Sequence, residues 1–308
     1  MRKILALLSG VLFAVSASGA RAASLDAATI LKDFNAVVFT SGSTGSDIEG
    51  AAVFGGDFRG ATVYNNPPTT ALPSGFSALT VYGNLTGNTL NMNNGASLYV
   101  GGKVQTGVNF NSGAGGRKGG FSGPPGVSIS SFEKPLIALS NQLSTLAANS
   151  WLPPAGNNEV INPSDVKGGV AVFDISAQDL KNIGHYGITI NTNGASSVIF
   201  NVSGDTITYA ANDNQTFGAN KILWNFYQAK TVTLDSGIVG TVLAPNATVT
   251  SQNWINGTLI ANAWTGIGEL HSYGFDGGLP SPVPEPASTG LLLAGLAGLG
   301  LLRHRHRP

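Results

Sequence analysis

The chain offers few side chains that are suited to acid–base or metal chemistry. Outside the last six residues it contains two histidines, His185 and His271, and neither has a second histidine or a cysteine at metal-ligand spacing. His271 and Glu269, in the segment G-E-L-H-S-Y, form one acid–imidazole pair. A structural histidine near the end of a domain is the simpler interpretation of this pair. We therefore expect no catalytic residue, no bound metal and no cofactor.

Acidic side chains suggest one alternative, an enzyme that acts on polysaccharides. Such enzymes, when they are β-helices, line a groove with acidic and basic residues. Asp205, Asp213 and Asp235 are the candidates, but nothing in their spacing shows that they converge. The sequence also lacks a D-x-[DN]-x-[DN]-G calcium loop and the glycine patterns that bind nucleotides.

Threonines and aromatic residues suggest two kinds of binding. T-x-T pairs occur at 206–208, 231–233 and 248–250, and an array of such pairs on stacked strands would resemble an ice-binding surface. Their offsets of 25 and 17 do not establish a single ladder, and threonine is common in strands. Trp224, Trp254, Trp264 and Tyr273 could stack on sugar rings, although we expect most of them to pack in the core.

These residues lie among short β-branched runs that end at Gly or Asn, which is the pattern of strands and turns. The segments I-V-G-T-V-L-A-P-N (238–246) and I-N-G-T-L-I-A-N-A (255–263) share five positions at an offset of 17. A repeat of this length is typical of one solenoid coil. Glycines at 55, 83 and 101 indicate irregular coils. We predict a mainly β fold, a right-handed parallel β-helix, with a β-sandwich as the competing architecture.

One amphipathic helix is predicted over 130–151, with about 18 helical residues. Its apolar face comprises Phe132, Leu136, Leu139, Leu143 and Leu146, widened by Ile137. Ser130 or Ser131 is the expected N-cap, Pro135 fits the first turn, and prolines at 153–154 end the helix. We expect this helix to cap the solenoid. The preceding segment 111–126, which contains Arg117 and Lys118, is expected to be a flexible surface loop.

The composition is that of an exported protein with a neutral surface. Charged residues make up 10% of the chain, and there is no cysteine. The whole chain is formally neutral, but residues 23–278 contain 10 basic and 15 acidic side chains, a formal charge of −5. This charge argues against nucleic acid as a partner.

Both termini resemble targeting segments. Arg2 and Lys3 precede an apolar stretch, and Ala20 and Ala22 form a small-x-small signal-peptidase site that ends a signal peptide, 1–22. At the other end, an uncharged apolar run at 287–302 is about 24 Å long as a helix, slightly short of a bilayer core. It follows Pro284, Glu285 and Pro286, and a basic stop follows it, formed by Arg303, Arg305 and Arg307.

This order of an extended V-P-E-P, an apolar helix and an arginine cluster resembles the PEP-CTERM sorting signal of Gram-negative bacteria. The resemblance implies recognition by an exosortase in an organism that makes extracellular polysaccharide. It makes 279–308 a sorting segment, with a transmembrane helix at 287–302 that holds the chain in the inner membrane only transiently.

The remaining residues, 23–278, resemble the choice-of-anchor A domain of bacterial surface proteins. The resemblance rests on F-N-A-V-V-F (34–39), D-I-E-G-A-A-V-F-G-G-D-F (47–58), L-W-N-F (223–226) and L-A-P-N-A (243–247). It implies a β-helical adhesin with a glycan or matrix polymer as its partner. We therefore expect a non-catalytic protein that signal peptidase and exosortase process during export. Its expected place is the cell surface or the extracellular matrix of a biofilm.

Overall fold

The computed structural model describes residues 25–64, 66–67, 72, 75–156, 158–166, 168–183, 187–213 and 215–280. The signal peptide, residues 281–308 of the sorting segment and His185 lie outside these residues. The helices are α1 (Ala27–Asp33), α2 (Ser130–Leu143) and α3 (Ala177–Asn182), with short 3-10 helices at Ala114–Gly116 and Ala219–Lys221. Within the described residues, no helix is long and apolar enough to span a membrane.

The strands are short, and most of them have two to four residues. Those before α2 are β1 (Ala36–Val38), β2 (Gly42–Thr44), β3 (Asp47–Ile48), β4 (Ala52–Phe54), β5 (Phe58–Arg59), β6 (Thr62–Val63), β7 (Leu79–Val81), β8 (Leu85–Thr86), β9 (Leu90–Met92), β10 (Ser97–Val100), β11 (Val108–Phe110) and β12 (Gly120–Phe121). Those after α2 are β13 (Glu159–Ile161), β14 (Val170–Ser176), β15 (Ile188–Ile190), β16 (Ser197–Ser203), β17 (Thr206–Tyr209), β18 (Ile222–Asn225), β19 (Thr231–Leu234), β20 (Ile238–Val239), β21 (Thr241–Ser251), β22 (Ile255–Asn256), β23 (Leu259–Gly266) and β24 (Leu270–His271).

The strands stack in parallel and form a solenoid with three faces. The face on which α2 lies, called the helix face below, has the order β12-β10-β7-β4-β1-β23-β21-β18-β16-β14. The threonine face has the order β17-β19-β21-β23-β2-β5-β8, and the third face has the order β11-β9-β6-β3-β24-β22-β20. β21 and β23 belong to two faces because each bends from one to the next. A β-sandwich is built from antiparallel sheets, so this parallel pairing favours the predicted solenoid. The right-handed winding of the solenoid stays a prediction.

The solenoid does not follow the order of the chain. The first strand, β1, lies in the middle of the helix face between β4 and β23. The chain stacks coils outward from β1 to β12, crosses back through α2, and stacks the remaining coils from β14 to β23. The first and last coils therefore meet at a seam, where β1 pairs with β23 and β3 pairs with β24. This order was not predicted from the sequence.

A buried asparagine joins the two coils at this seam. The Asn35 side-chain amide donates to the carbonyl oxygens of Gly257 at 2.8 Å and of His271 at 3.1 Å. Its own oxygen accepts from the Gly50 backbone N–H at 3.0 Å. Asn35 is 3% exposed, so these three bonds satisfy a polar side chain inside the protein.

The predicted 17-residue repeat is confirmed as one coil. Ile238 pairs with Ile255, Leu243 with Ile260, and Ala244 with Ala261. The glycine spacing is confirmed as irregular, because the coils at β4, β7 and β10 pair at offsets of 27 and 19.

The sequence led us to expect that helix α2 caps the solenoid, but it does not. It lies along the helix face, where its apolar side packs on outward-facing residues of six strands: Val37, Val53, Ile199, Leu223, Leu243 and Ile260. The predicted apolar stripe is confirmed, since Phe132, Leu136, Leu139 and Leu143 are buried. The stripe faces the sheet because a helix that crosses from one end of the solenoid to the other must run beside it.

The helix is shorter than predicted, and a ladder of polar side chains contacts its last turn. Asp174, Asn201 and Asn225 occupy paired positions on the helix face. The Asn225 amide donates to the Ser140 carbonyl at 2.9 Å, and the Asn201 amide donates to the Leu143 carbonyl at 2.7 Å. The Leu143 carbonyl is one that a helix end leaves open, whereas the Ser140 carbonyl also accepts from the Ser144 N–H. The two bonds attach the last turn of the helix to the sheet.

The start of the helix and the loop before it also differ from prediction. The N-cap is Ile129, which makes no side-chain capping bond, and Ser130 and Ser131 lie inside the helix. Segment 111–126 is not a simple loop, because Gly120–Phe121 forms the last strand of the helix face beside β10. A strand forms here because the end coil leaves backbone groups of β10 available for pairing.

Stacked aromatic rings fill the C-terminal half of the solenoid core. Phe173, Phe200 and Trp224 occupy paired positions and stack at centroid distances of 4.8 and 4.1 Å. The indole N–H of Trp224 donates to the Val239 carbonyl, and that of Trp264 donates to the Ser251 hydroxyl. Trp224 and Trp264 are therefore core residues, as expected for most of the aromatic candidates.

Candidate functional site

The three T-x-T pairs form one ladder on the threonine face. Thr206 pairs with Thr231 and Thr231 with Thr248, while Thr208 pairs with Thr233 and Thr233 with Thr250. The unequal offsets hid this register in the sequence. A loop of variable length separates the strands, so their spacing along the chain differs while their stacking does not.

The second threonine column continues across the seam. Thr250 pairs with Thr265, and Thr265 pairs with Ser43. On the next strand Ser43 pairs with Arg59, and the column of hydroxyl side chains ends there. The sequence did not reveal Thr265, because β21 and β23 change register by two residues after Ala244.

The threonine side chains point outward and their neighbours point inward. Thr206, Thr208, Thr231 and Thr248 are exposed, whereas Ile207, Val232 and Val249 are fully buried. Parallel strands lie about 4.8 Å apart, and alternate residues lie about 6.6 Å apart along a strand. The face therefore presents a regular array of hydroxyl and methyl groups with two fixed spacings.

The acidic residues that would serve a polysaccharide-cleaving enzyme do not form one site. Asp205 lies at the border of the threonine face, where its carboxylate contacts the Lys230 ammonium at 3.2 Å. Asp235 is exposed, and Asp213 is 1% exposed. Among the described residues, no three His, Asp or Glu side chains come together as a group that could hold a metal ion.

Burial raises the pKa of Asp213 to about 6, although hydrogen bonds from the backbone N–H groups of Gln215 and Val239 act in the opposite direction. The Oδ2 atom of Asp213 and the hydroxyl of Tyr209 have no hydrogen-bond partner within the described part of the chain. Burial, and secondarily the nearby Asp213, raises the pKa of Tyr209 well above its ordinary value. This pair is a property of the interior and opens onto no binding face.

A cleft of about 450 Å³ lies on the third face, beside the seam. The imidazole Nε2 of His271 lies 2.9 Å from the Glu269 carboxylate, and its Nδ1 contacts the side-chain oxygen of Asn256. The rings of His271 and Trp254 are nearly parallel, at 24°, with centroids 6.3 Å apart. The complete lining is Glu49, Asn66, Thr216, Trp254, Asn256, His271, Ser272 and Tyr273.

The structure thus brings together three candidates that the sequence analysis treated separately: the His271–Glu269 pair, Trp254 and Tyr273. Sequence reasoning missed Glu49 because it lies more than 200 positions from Trp254, His271 and Tyr273. It reaches the site because β3 pairs with β24 across the seam. The available signal was a carboxylate and an aromatic residue beside short strands, since Glu49 directly follows β3 and Trp254 directly precedes β22.

Comparisons with known proteins are consistent with this architecture. Residues 27–272 match the family described as "Putative Ice-binding-like adhesive domain", and residues 282–307 match the PEP-CTERM protein-sorting motif. The second match implies export, sorting to the cell surface and processing by an exosortase. None of the curated proteins matches the chain.

Two solved structures show a distant likeness. An ice-binding protein from the Antarctic ascomycete Antarctomyces psychrotrophicus is 13% identical, with a TM-score of 0.31 over 79% of this chain and 95% of that chain. An ice-binding protein from an Antarctic bacterium, Flavobacteriaceae, is 14% identical, with a TM-score of 0.31 over 76% of this chain and 78% of that chain. At these values neither likeness assigns a ligand to the present chain.

Proposed function

Because the chain belongs to the ice-binding-like adhesive domain family, we propose that it is a non-catalytic adhesin of the cell surface. Its threonine face is the adhesive surface, and its ligand is an extended, uncharged polymer of the extracellular matrix, such as a polysaccharide in a biofilm. The observation that carries this proposal is the register of the three T-x-T pairs.

The chemistry of the threonine face supports a repeating ligand. Each hydroxyl both donates and accepts hydrogen bonds, and the methyl groups between the hydroxyls offer apolar contact. The two columns run side by side over three coils, so a ligand with its own repeat can be held at several weak contacts at once. The net charge of residues 23–278 is −5, which disfavours anionic polymers.

The sorting motif supports the location that we propose. We infer that a Gram-negative cell exports the chain across its inner membrane and that exosortase removes the segment at 287–302 after recognition of Pro284–Glu285–Pro286. We also propose that residues 23–278 are a choice-of-anchor A domain, a more specific assignment than an adhesive domain that carries a sorting signal.

A binding assay with matched variants tests the adhesive surface. The exported protein is incubated with insoluble matrix polysaccharide from the producing cells, and the retained fraction is measured. We expect Thr231→Tyr to lower retention strongly, because its ring projects from the centre of the array. Thr89→Tyr, at an exposed turn outside the face, should bind like the wild type. Equal retention of both variants contradicts the proposal, and shortening of the polymer supports the enzyme alternative instead.

Ice is the second candidate ligand, and the same register favours it. A regular array of hydroxyl and methyl groups is suited to an ordered layer of water as well as to a polymer. Thermal hysteresis of the exported protein separates the two candidates. Hysteresis that Thr231→Tyr abolishes supports ice binding, and the absence of any effect on ice growth removes this candidate.

A further inference from the structure

The third-face cleft has a composition that the adhesive proposal does not use. It lies on a different face of the coil from the threonine array, so the two surfaces can be tested separately. Its walls come from both ends of the chain, because Glu49 follows β3 while Trp254 and His271 belong to the last coils. The cleft therefore exists only when the seam is closed.

One wall of the cleft is aromatic. The Trp254 indole packs against the backbone of Gly237, where any Cβ would collide with the ring. The His271 ring lies alongside at 24°. Trp254 is partly exposed, unlike the buried Trp224 and Trp264. An indole that is fixed by its packing and partly exposed offers a flat apolar surface in contact with water.

The other wall consists of hydrogen-bonding groups whose positions are already fixed. The Glu49 carboxylate accepts from the Ser272 backbone N–H at 2.8 Å and from the Asn66 side-chain amide at 3.4 Å. Glu269 lies outside the cleft lining, and its carboxylate holds the His271 imidazole at 2.9 Å. A carboxylate has about four acceptor positions, so Glu49 can still accept from a ligand.

We propose that this cleft binds one neutral sugar residue of a glycan. A pyranose ring has an apolar face that stacks on an indole, and its edge carries hydroxyl groups that donate to carboxylates. The Glu49 carboxylate in the lining disfavours uronic acids and sulfated sugars by charge repulsion. The cleft volume of about 450 Å³ falls within the range of small-molecule sites.

Tryptophan fluorescence tests this proposal directly. The chain has four tryptophans; Trp224 and Trp264 are buried, and replacing the exposed Trp151 with Phe leaves Trp254 as the responsive one. The Trp151→Phe protein is titrated with maltotriose, cellotriose and mannotriose, and with trigalacturonate as the anionic control. We expect a saturating change with at least one neutral trisaccharide and none with trigalacturonate.

Two variants assign the signal to the cleft. Trp254→Ala should weaken binding of that trisaccharide about tenfold or more in calorimetry, because it removes the stacking surface. Glu49→Gln keeps the shape of the side chain and an oxygen that can accept from the Ser272 N–H, so it should leave the fold intact and weaken binding severalfold. Thr89→Tyr, which lies outside both the cleft and the threonine face, should leave trisaccharide binding unchanged. No response to any neutral trisaccharide, equal binding of trigalacturonate, or unchanged affinity in Glu49→Gln would overturn the proposal.

Discussion

Replacement of the buried Asp213 by asparagine should stabilise the protein at neutral and alkaline pH. Asparagine has nearly the same shape, and its oxygen can still accept from the Gln215 N–H, which lies 3.1 Å from the carboxylate. Its amide nitrogen replaces Oδ2, an atom whose loss breaks no hydrogen bond in the described structure. The substitution therefore removes a buried charge with little change in packing.

The magnitude follows from the pKa of this carboxyl, which is about 6 in the folded protein against an ordinary value of 3.8. Because one pKa unit corresponds to about 1.4 kcal/mol, the ionised carboxyl lowers the free energy of unfolding at pH 8 by about 3 kcal/mol. Between these two pKa values the folded state binds more protons than the unfolded state. Stability from this group is therefore fully present below pH 4, falls as the pH rises to about 6, and stays constant above.

Urea denaturation of the wild type and of Asp213→Asn from pH 3.5 to 8 measures this difference, and Asp235→Asn serves as an exposed control. We expect the free energies of unfolding of the wild type and Asp213→Asn to diverge between about pH 4 and 6, with the variant more stable at high pH. A constant difference over this range would refute the argument that burial of Asp213 raises its pKa.

Three further substitutions test the seam, a turn and the helix contact. Asn35→Ala removes three buried hydrogen bonds across the seam and should lower the free energy of unfolding by about 3 kcal/mol; Asn109→Ala, an exposed control, should cost less than about 1 kcal/mol. Gly240 has a φ of 106°, and a Cβ there would lie 2.7 Å from a carbonyl oxygen. Gly240→Ala should therefore cost about 2 kcal/mol or more in the same denaturation assay, against no measurable change for Gly126→Ala. Asn225→Ala should cost about 2 kcal/mol and increase hydrogen exchange at the end of α2, which mass spectrometry can detect.

The sequence was most informative where the structure is local. The apolar stripe of α2 follows from spacings of three and four residues, and the helix buries that stripe. The repeat at 238–263 predicts a coil because two adjacent coils there have the same length. Both predictions rest on short distances along the chain, at which one periodicity controls the side-chain directions.

The rest depends on contacts between distant segments. The threonine ladder was hidden because loops change the offset from 25 to 17 residues while the strands stay in register. The seam could not be predicted, because β1 pairs with β23 in the middle of the solenoid and no local sequence pattern indicates this pairing. From the sequence, β1 could equally have formed one end of the solenoid. The cleft could not be predicted for the same reason, because Glu49 lies beside Trp254 and His271 only when the first and last coils meet.

The most direct test of the adhesive surface uses the absence of cysteine from the sequence. A single Thr231→Cys variant is purified in its folded form, and half of it is modified with a bulky maleimide. Our account predicts that unmodified protein binds matrix polysaccharide and modified protein does not, while Thr89→Cys binds in both states. Full binding by the modified Thr231→Cys protein would contradict the assignment of the threonine face as the adhesive surface.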